Sequence, residues 1–273
     1  MPKSERELRD DIIRIGQLVY EKGWVAANDG NISIRLSADR VLCTPTGVSK
    51  GMMQPDDLIV CDMQGNKVEG ARERTSEITM HLTIYSLRPD VFGVVHTHPP
   101  VATGFAASGR ALNQAILPEV VVNLGCIPLA AYGLPGTPAL SESILPFVPT
   151  YDAILLANHG AVCYGGDVWQ AFFKMETLEH YARIALVTEI LGGPNLLPRA
   201  EVAKLIDARA RYGIASKATG EPGCPITAED LSRAAGGGTA AVATTTTALA
   251  EKFEVTREEL IALVEEAMRV ARS

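Results

Sequence analysis

Apolar runs of membrane-spanning length are missing from this 273-residue chain, and so is any leader pattern, because Met1 to Asp10 is dense in charge and has no apolar middle. The expected location is the cytoplasm. Basic residues are scarce: 25 Lys and Arg face 32 Asp and Glu, for a net charge of −7 and an isoelectric point near 5.3. A nucleic acid or an anionic bilayer needs a cationic face, so neither is expected as the main partner. Cysteine pairing motifs are also absent. Cys43, Cys61, Cys126, Cys163 and Cys224 are odd in number, scattered and without a C-x-x-C, which predicts reduced core thiols and no nucleophile among them. Histidine is rare too, and three of the five stand at the ends of predicted strands.

Apolar residues make up 47 % of the chain, enough to bury a core. One domain of about 200 residues with an appendage fits the length. Leu8, Ile12, Ile15, Leu18 and Val19 recur at helical spacing after Ser4, which with Glu7 forms a capping box, and Gly23 ends that helix. Ile32 to Leu36 alternates as a strand, and Val41 to Thr44, Asp57 to Asp62 and Lys67 to Glu69 continue the β pattern around a turn at Asp62 to Asn66. Helix and strand then alternate: Ser76 to Leu87, Val91 to His96, a helix from near Pro100, a strand near Cys126 to Leu129, a helix from Ala139, a strand at Ala153 to Ala157, a long helix from Asp167 and another over Arg199 to Tyr212. This order predicts an α/β three-layer sandwich, its central sheet mostly antiparallel and covered by helices on both faces.

Beyond Ile190 the character changes: Gly192 to Asn195 breaks the helix, and Ala215 to Pro225 reads as loop. Ala234 to Thr247 is Gly, Ala and Thr almost throughout, which cannot bury a core and predicts a flexible linker over 231–250. An amphipathic helix follows over 251–273, with Thr256 as N-cap, Glu259 completing a capping box, and Leu260, Leu263, Val264, Ala267, Val270 and Ala271 along one stripe. A tethered helix of this kind predicts a partner-binding peptide.

Chemistry concentrates at His96 and His98. Alternate residues of a strand share a face, so two imidazoles at i and i+2 can grip one ion. His159 follows the Ala153 strand, and Glu77 opens the helix whose apolar residues are Ile78, Leu82 and Tyr85. Three imidazoles and a carboxylate suit a tetrahedral Zn²⁺ or another divalent ion, the carboxylate being free to exchange with substrate. His81 is assigned an ordinary i, i+4 surface pairing with Glu77, and His180 a packing or solvated role. Gly30 to Ser33, Thr44 to Gly47 and Thr75 to Glu77 are clusters of small polar residues able to aim N–H and O–H groups at an anion, although turns and caps use the same residues. The third cluster opens a helix, a favourable place for phosphate.

In this order, Gly30-Asn31-Ile32-Ser33, Thr44-Pro45-Thr46-Gly47, Ser76-Glu77, His96-Thr97-His98-Pro99 and Asn158-His159-Gly160 resemble the class II aldolase/adducin family, over about Leu8 to Tyr212. That resemblance implies a catalytic domain over 1–230 in which His96, His98, His159 and Glu77 bind Zn²⁺. Glu77 would also serve as acid/base once substrate displaces it. By the same resemblance, Asn31, Thr46, Gly47, Thr75 and Ser76 hold a substrate phosphate, Tyr212 approaches the aldehyde portion, and the chain forms a homotetramer with each site at a subunit boundary. The implied reaction is cleavage of a 2-ketose 1-phosphate, L-fuculose 1-phosphate or L-rhamnulose 1-phosphate, to dihydroxyacetone phosphate and L-lactaldehyde. An epimerase, decarboxylase or dehydratase at the same centre, or a non-catalytic adducin-like module, are the alternatives. One position departs from the pattern: Val122 stands where such aldolases carry a tyrosine, leaving the aldehyde's proton to Tyr132, to another group or to a different reaction. The tail resembles encapsulation peptides, which implies a shell or cargo protein of a bacterial microcompartment as its partner.

Overall fold

The computed structural model describes residues 3–212. Linker 231–250, helix 251–273 and Cys224 lie outside the described residues. Helix α1 (Glu5–Glu21) starts at the expected capping box: Ser4 accepts from the Glu7 N–H while the Glu7 side chain returns to the Ser4 N–H. Its buried stripe, Ile12, Ile15 and Val19, is the one the spacing predicts. Eight strands follow, β1 (Asn31–Arg35), β2 (Arg40–Cys43), β3 (Ile59–Asp62), β4 (Lys67–Glu69), β5 (Gly93–Thr97), β6 (Leu129–Ala130), β7 (Ala153–Leu156) and β8 (Gly160–Gly165). They form one sheet in the order β4-β3-β2-β1-β5-β8-β7-β6, antiparallel at every junction except β6 with β7.

Helices α2 (Ile78–Leu87), α3 (Pro100–Ala107), α4 (Pro118–Asn123), α5 (Pro138–Ile144), α6 (Val168–Ile190) and α7 (Arg199–Ala208) complete the fold. Strand alternation divides the interior in two. Ile32, Ile34, Val95, Leu155, Ala161 and Cys163 pack in one core with residues of α1, α3 and α6. Their sequence neighbours Val94, Ile154, Leu156, Val162 and Tyr164 pack in a second core with α2 and α5. A sheet whose successive side chains enter two different cores is covered on both faces, so the three-layer expectation holds.

Two elements go beyond the sequence reading. Strand β8 pairs with both β5 and β7, and α4 is a short helix ahead of β6. The free cysteines Cys43, Cys61 and Cys163 are buried as expected, whereas Cys126 is disulfide-bonded and corrects the expectation that all are reduced. No described helix is long and apolar enough to cross a membrane.

Candidate metal centre

Strand β5 carries Val94 and His96 on the face turned towards α2, and His98 follows just beyond its end. The His98 N–H donates to Trp24 O, and Pro99 and Pro100 turn the chain into α3, whose first N–H groups, on Val101 and Ala102, donate to the buried Glu179 carboxylate. His159 stands in the turn joining β7 to β8, where Asn158 takes a left-handed φ of 56° and the His159 N–H donates to Leu156 O. Strand register brings that turn beside β5, since His96 pairs with Val162 and Thr97 with Ala161. Glu77 occupies the N-cap position of α2 without capping it. Its side chain turns to the centre instead.

Geometrically the four groups converge. His98 Nε2 is 3.2 Å from His96 Nε2, Glu77 Oε2 is 3.2 Å from His96 Nε2, and Glu77 Oε1 is 3.3 Å from His159 Nε2. One ring nitrogen from each of His96, His98 and His159 lies within 4.8 Å of the others. His96 Nδ1 stands 2.9 Å from Ala161 O, which can only accept, so Nδ1 bears the ring hydrogen and Nε2 presents a lone pair. Asp29 Oδ2, 3.6 Å from His98 Nδ1, favours the same tautomer there.

Lone pairs this close repel unless a cation lies among them. Donors about 2.0–2.1 Å from a common ion at tetrahedral corners stand about 3.3–3.4 Å apart, close to the three shortest contacts of the cluster. Glu77 Oε1 is buried without a hydrogen-bond partner. A buried acceptor left this way is costly, and a metal would satisfy it. The donor set therefore fits a divalent metal.

Electrostatics agree. Burial and the neighbouring imidazoles push His98 down to about 3, and burial with His96 nearby pushes His159 down to about 4, so both rings are neutral near pH 7 with lone pairs available. Burial raises the Glu77 carboxyl, and without a metal a protonated His96 ring, the Asn31 N–H and a protonated His159 ring outweigh it and hold the group well below the usual carboxylate range, a stabilising part that a bound cation would take over from the neutral rings.

The three small polar clusters come together beside this centre. The Ile32 N–H donates to Thr44 Oγ1, the Thr75 N–H to Thr44 O and the Thr46 N–H to Glu73 O. Thr46, Gly47 and Ser76 are exposed, Gly47 at a left-handed φ of 71°, and Thr75 is buried. Asn31 instead turns its amide to Glu77 and to His81. Tyr212 closes the turn after α7, and its side chain lies outside the described residues. Val122 is buried on α4 and Tyr132 is exposed, while His180 is exposed on α6 and lines an open cavity of about 800 Å³.

Sequence reasoning missed two contributors. His81 is fully buried rather than on the surface, and it bonds Asn31 and Ser33 rather than Glu77. The signal was its spacing, since residues 78, 81, 82 and 85 share one helical face. Lys50, also buried, ties two loops together by donating to Asn28 O and Val48 O.

Residues 10–186 match the family described as the Class II Aldolase and Adducin N-terminal domain. The chain belongs to that family. Among its relatives, the class II aldolase family chain is 31 % identical over 208 residues to the 5-deoxy-D-ribulose 1-phosphate aldolase of Bacillus thuringiensis, covering 75 % of this chain and 96 % of that one. It is 34 % identical over 185 residues to the 3-oxo-tetronate 4-phosphate decarboxylase of Haemophilus influenzae, covering 66 % and 86 %. A solved L-fuculose 1-phosphate aldolase shares its fold with a TM-score of 0.70 and 27 % identity over 78 % of this chain and 99 % of that one.

Proposed function

We propose that this family member is a Zn²⁺-dependent aldolase that cleaves a 2-ketose 1-phosphate, L-fuculose 1-phosphate or L-rhamnulose 1-phosphate, to dihydroxyacetone phosphate and L-lactaldehyde. The observation that carries the reading is the convergence of three imidazole nitrogens on a buried carboxylate whose second oxygen has no hydrogen-bond partner. His96, His98, His159 and Glu77 would hold the metal. When bound, the cation supplies Lewis acidity for negative charge that builds on substrate oxygens.

Around it, this chain's side chains handle protons and phosphate. As the C3–C4 bond parts, the C4 hydroxyl gives up its proton to a base at the aldehyde end and becomes the aldehyde carbonyl, the electron pair stays at C3, and Glu77, released to substrate, would deliver a proton there or remove it in the reverse direction. Thr46, Gly47, Thr75 and Ser76, on loops bonded side by side, would bind the phosphate together with Asn31. Tyr212 approaches the aldehyde half. The assembly we propose is a homotetramer in the cytoplasm. Its tail, a 231–250 linker with a 251–273 helix, would bind a microcompartment shell or cargo protein, where confining a reactive aldehyde is useful.

Decarboxylation is the second reading, favoured by the relative named for it. It too needs a centre that stabilises charge beside a carbonyl. A panel of ketose 1-phosphates and 3-oxo-tetronate 4-phosphate, offered to zinc-replete protein, separates the two. Dihydroxyacetone phosphate is a product of both reactions, so release of L-lactaldehyde from a ketose 1-phosphate, read by its coupled reduction with NADH, supports the aldolase, and CO₂ release from the tetronate phosphate with no aldehyde from any ketose 1-phosphate rejects that reading.

A further inference from the structure

Behind Glu77 a row of polar side chains runs into the interior between β1 and the inner face of α2. Asn31 Nδ2 is 2.7 Å from Glu77 Oε2, and Asn31 Oδ1 is 2.5 Å from His81 Nε2. His81 Nδ1 is 2.6 Å from Ser33 Oγ, which is 2.9 Å from the Tyr85 hydroxyl. None of Asn31, Ser33, His81 and Tyr85 is more than 4 % exposed. Water does not reach them to repair a wrongly turned group, so each donor has to meet an acceptor.

Every hydrogen in the row is fixed from one end. Glu77 as a carboxylate only accepts, so the Asn31 edge facing it is the NH₂ and the edge facing His81 is the oxygen. That oxygen also only accepts, and His81 Nε2 must bear a hydrogen. Burial disfavours a charged ring at His81. Its Nδ1 is then a lone pair that takes the Ser33 hydroxyl hydrogen, and Ser33 Oγ accepts from Tyr85. All four bonds point towards the carboxylate. Were the other ring nitrogen protonated, the amide would turn over and set its oxygen against Glu77, two acceptors at hydrogen-bond distance.

We infer that His81 is a positioning residue: through Asn31 it fixes the amide orientation that presents an N–H to Glu77, and thereby the placement of the carboxylate that moves the substrate proton. Ser33 and Tyr85 hold His81 in the tautomer this requires. The kinetic consequence rests on the aldolase reading above, but the tautomer does not.

Two measurements test it. In zinc-loaded protein labelled with ¹⁵N-histidine, the His81 resonances, assigned by their loss in His81→Gln, should show a protonated Nε2 and a bare Nδ1. A protonated Nδ1 overturns the inference whatever the enzyme catalyses, and if His81→Gln fails to fold, the His81 ring is assigned in the wild-type protein by its through-space contacts to Ser33 and Tyr85. In turnover, His81→Leu should lower kcat at least about tenfold, as loss of an orienting partner does, while zinc content and KM stay within about threefold. His81→Gln, whose amide N–H reaches towards Asn31, should recover most of that loss. Unchanged kcat in His81→Leu, or equal losses in both variants, overturns the positioning role. Should no phosphorylated ketose be turned over by the wild type, the aldolase reading fails and the nitrogen spectrum still decides this one.

Discussion

Replacing Gly160 with alanine should empty the metal centre while leaving the fold intact. Gly160 opens β8, and a Cβ on it would stand 2.5 Å from His98 Cδ2, 2.7 Å from Thr97 O and 3.4 Å from His96 Cε1. Ordinary van der Waals contact begins near 3.4 Å, so the His98 ring has to retreat by about 0.9 Å. The ring has room to do so because it is partly exposed, whereas the Thr97 carbonyl belongs to β5 at the middle of the sheet, so the contact with it has to be relieved by a small shift of the first residue of β8. A metal–nitrogen bond tolerates only about 0.2 Å. His98 is then lost as a ligand, and zinc affinity should fall by more than about 100-fold, the upper range for disturbing a mere outer partner of a ligand. The overpacking itself costs about 1–3 kcal/mol, well within a domain's stability of about 5–15 kcal/mol. Competition with a chromophoric chelator gives the affinity, and circular-dichroism melts of both metal-free proteins check the fold. Zinc affinity within about threefold of wild type, in a folded variant, would refute the placement of His98 against β8 and its role as a ligand.

Three further outcomes are expected. Glu77→Gln should retain zinc through the three imidazoles yet lose at least about 100-fold in rate, the usual scale of general acid/base catalysis, and near-normal turnover would remove Glu77 from the proton step. Burial and neighbouring rings hold His98 near 3 and His159 near 4, and burial holds His81 near 3, against an ordinary histidine value of about 6.5. The unfolded chain therefore binds more protons than the folded one between roughly pH 6.5 and 4, so stability of the metal-free protein is complete above that window and declines as pH falls through it. A melting temperature that stays flat from about pH 7 to 4.5 would contradict this. Removing residues 247–273 should leave soluble activity unchanged and abolish co-purification with shells, and retained encapsulation would reject the targeting role.

Much of the fold was legible because two simple periods carried it. Ser4 and Glu7 announced α1, the 3.6-residue spacing of Ile12, Ile15 and Val19 gave its buried stripe, and Asp62 to Asn66 formed the predicted turn, with Asp62 Oδ1 accepting from the Gln64 and Asn66 N–H groups. The imidazole cluster was legible in part for the same reason, since residues 96 and 98 are expected to share a face of an extended segment and their rings do meet, with His159 beside them. Where local signals conflict, legibility ends. Helix α4 is Pro-Glu-Val-Val-Val-Asn, a β-branched run with poor helix propensity, and it is helical because Pro118 sets the first turn and Val120 packs into the core beside α6. Strand β8 both begins and ends in glycine, which weakens a strand pattern, and only its two neighbours in the sheet make it one. His81 was lost because a polar residue on an apolar stripe looks like a surface position until its partners are known.

Those partners come from a match between two repeats. Four residues of helix rise about 6.0 Å and two residues of strand about 6.8 Å, so a helix lying along a strand can hold several rungs in step. Glu77, His81 and Tyr85 form the helical column, and Asn31, Ser33 and Arg35 the strand column, with Asn31 between Glu77 and His81, Ser33 between His81 and Tyr85, and the Arg35 guanidinium 4.9 Å from the centre of the Tyr85 ring. The complementary residues of β1, Ile32 and Ile34, enter the opposite core. Slipping β1 by one residue would therefore put two isoleucines against Glu77 and His81 and three polar side chains into oil. Burial on one face and hydrogen bonding on the other thus select the same register. The register that packs the α1 side of the sheet is also the one that sets Asn31 opposite His96 and next to the carboxylate. Core and candidate metal centre are aligned by a single strand register, so exchanging the polar residues of β1 for apolar ones should disturb the Glu77 side chain, even though none but Asn31 stands beside it.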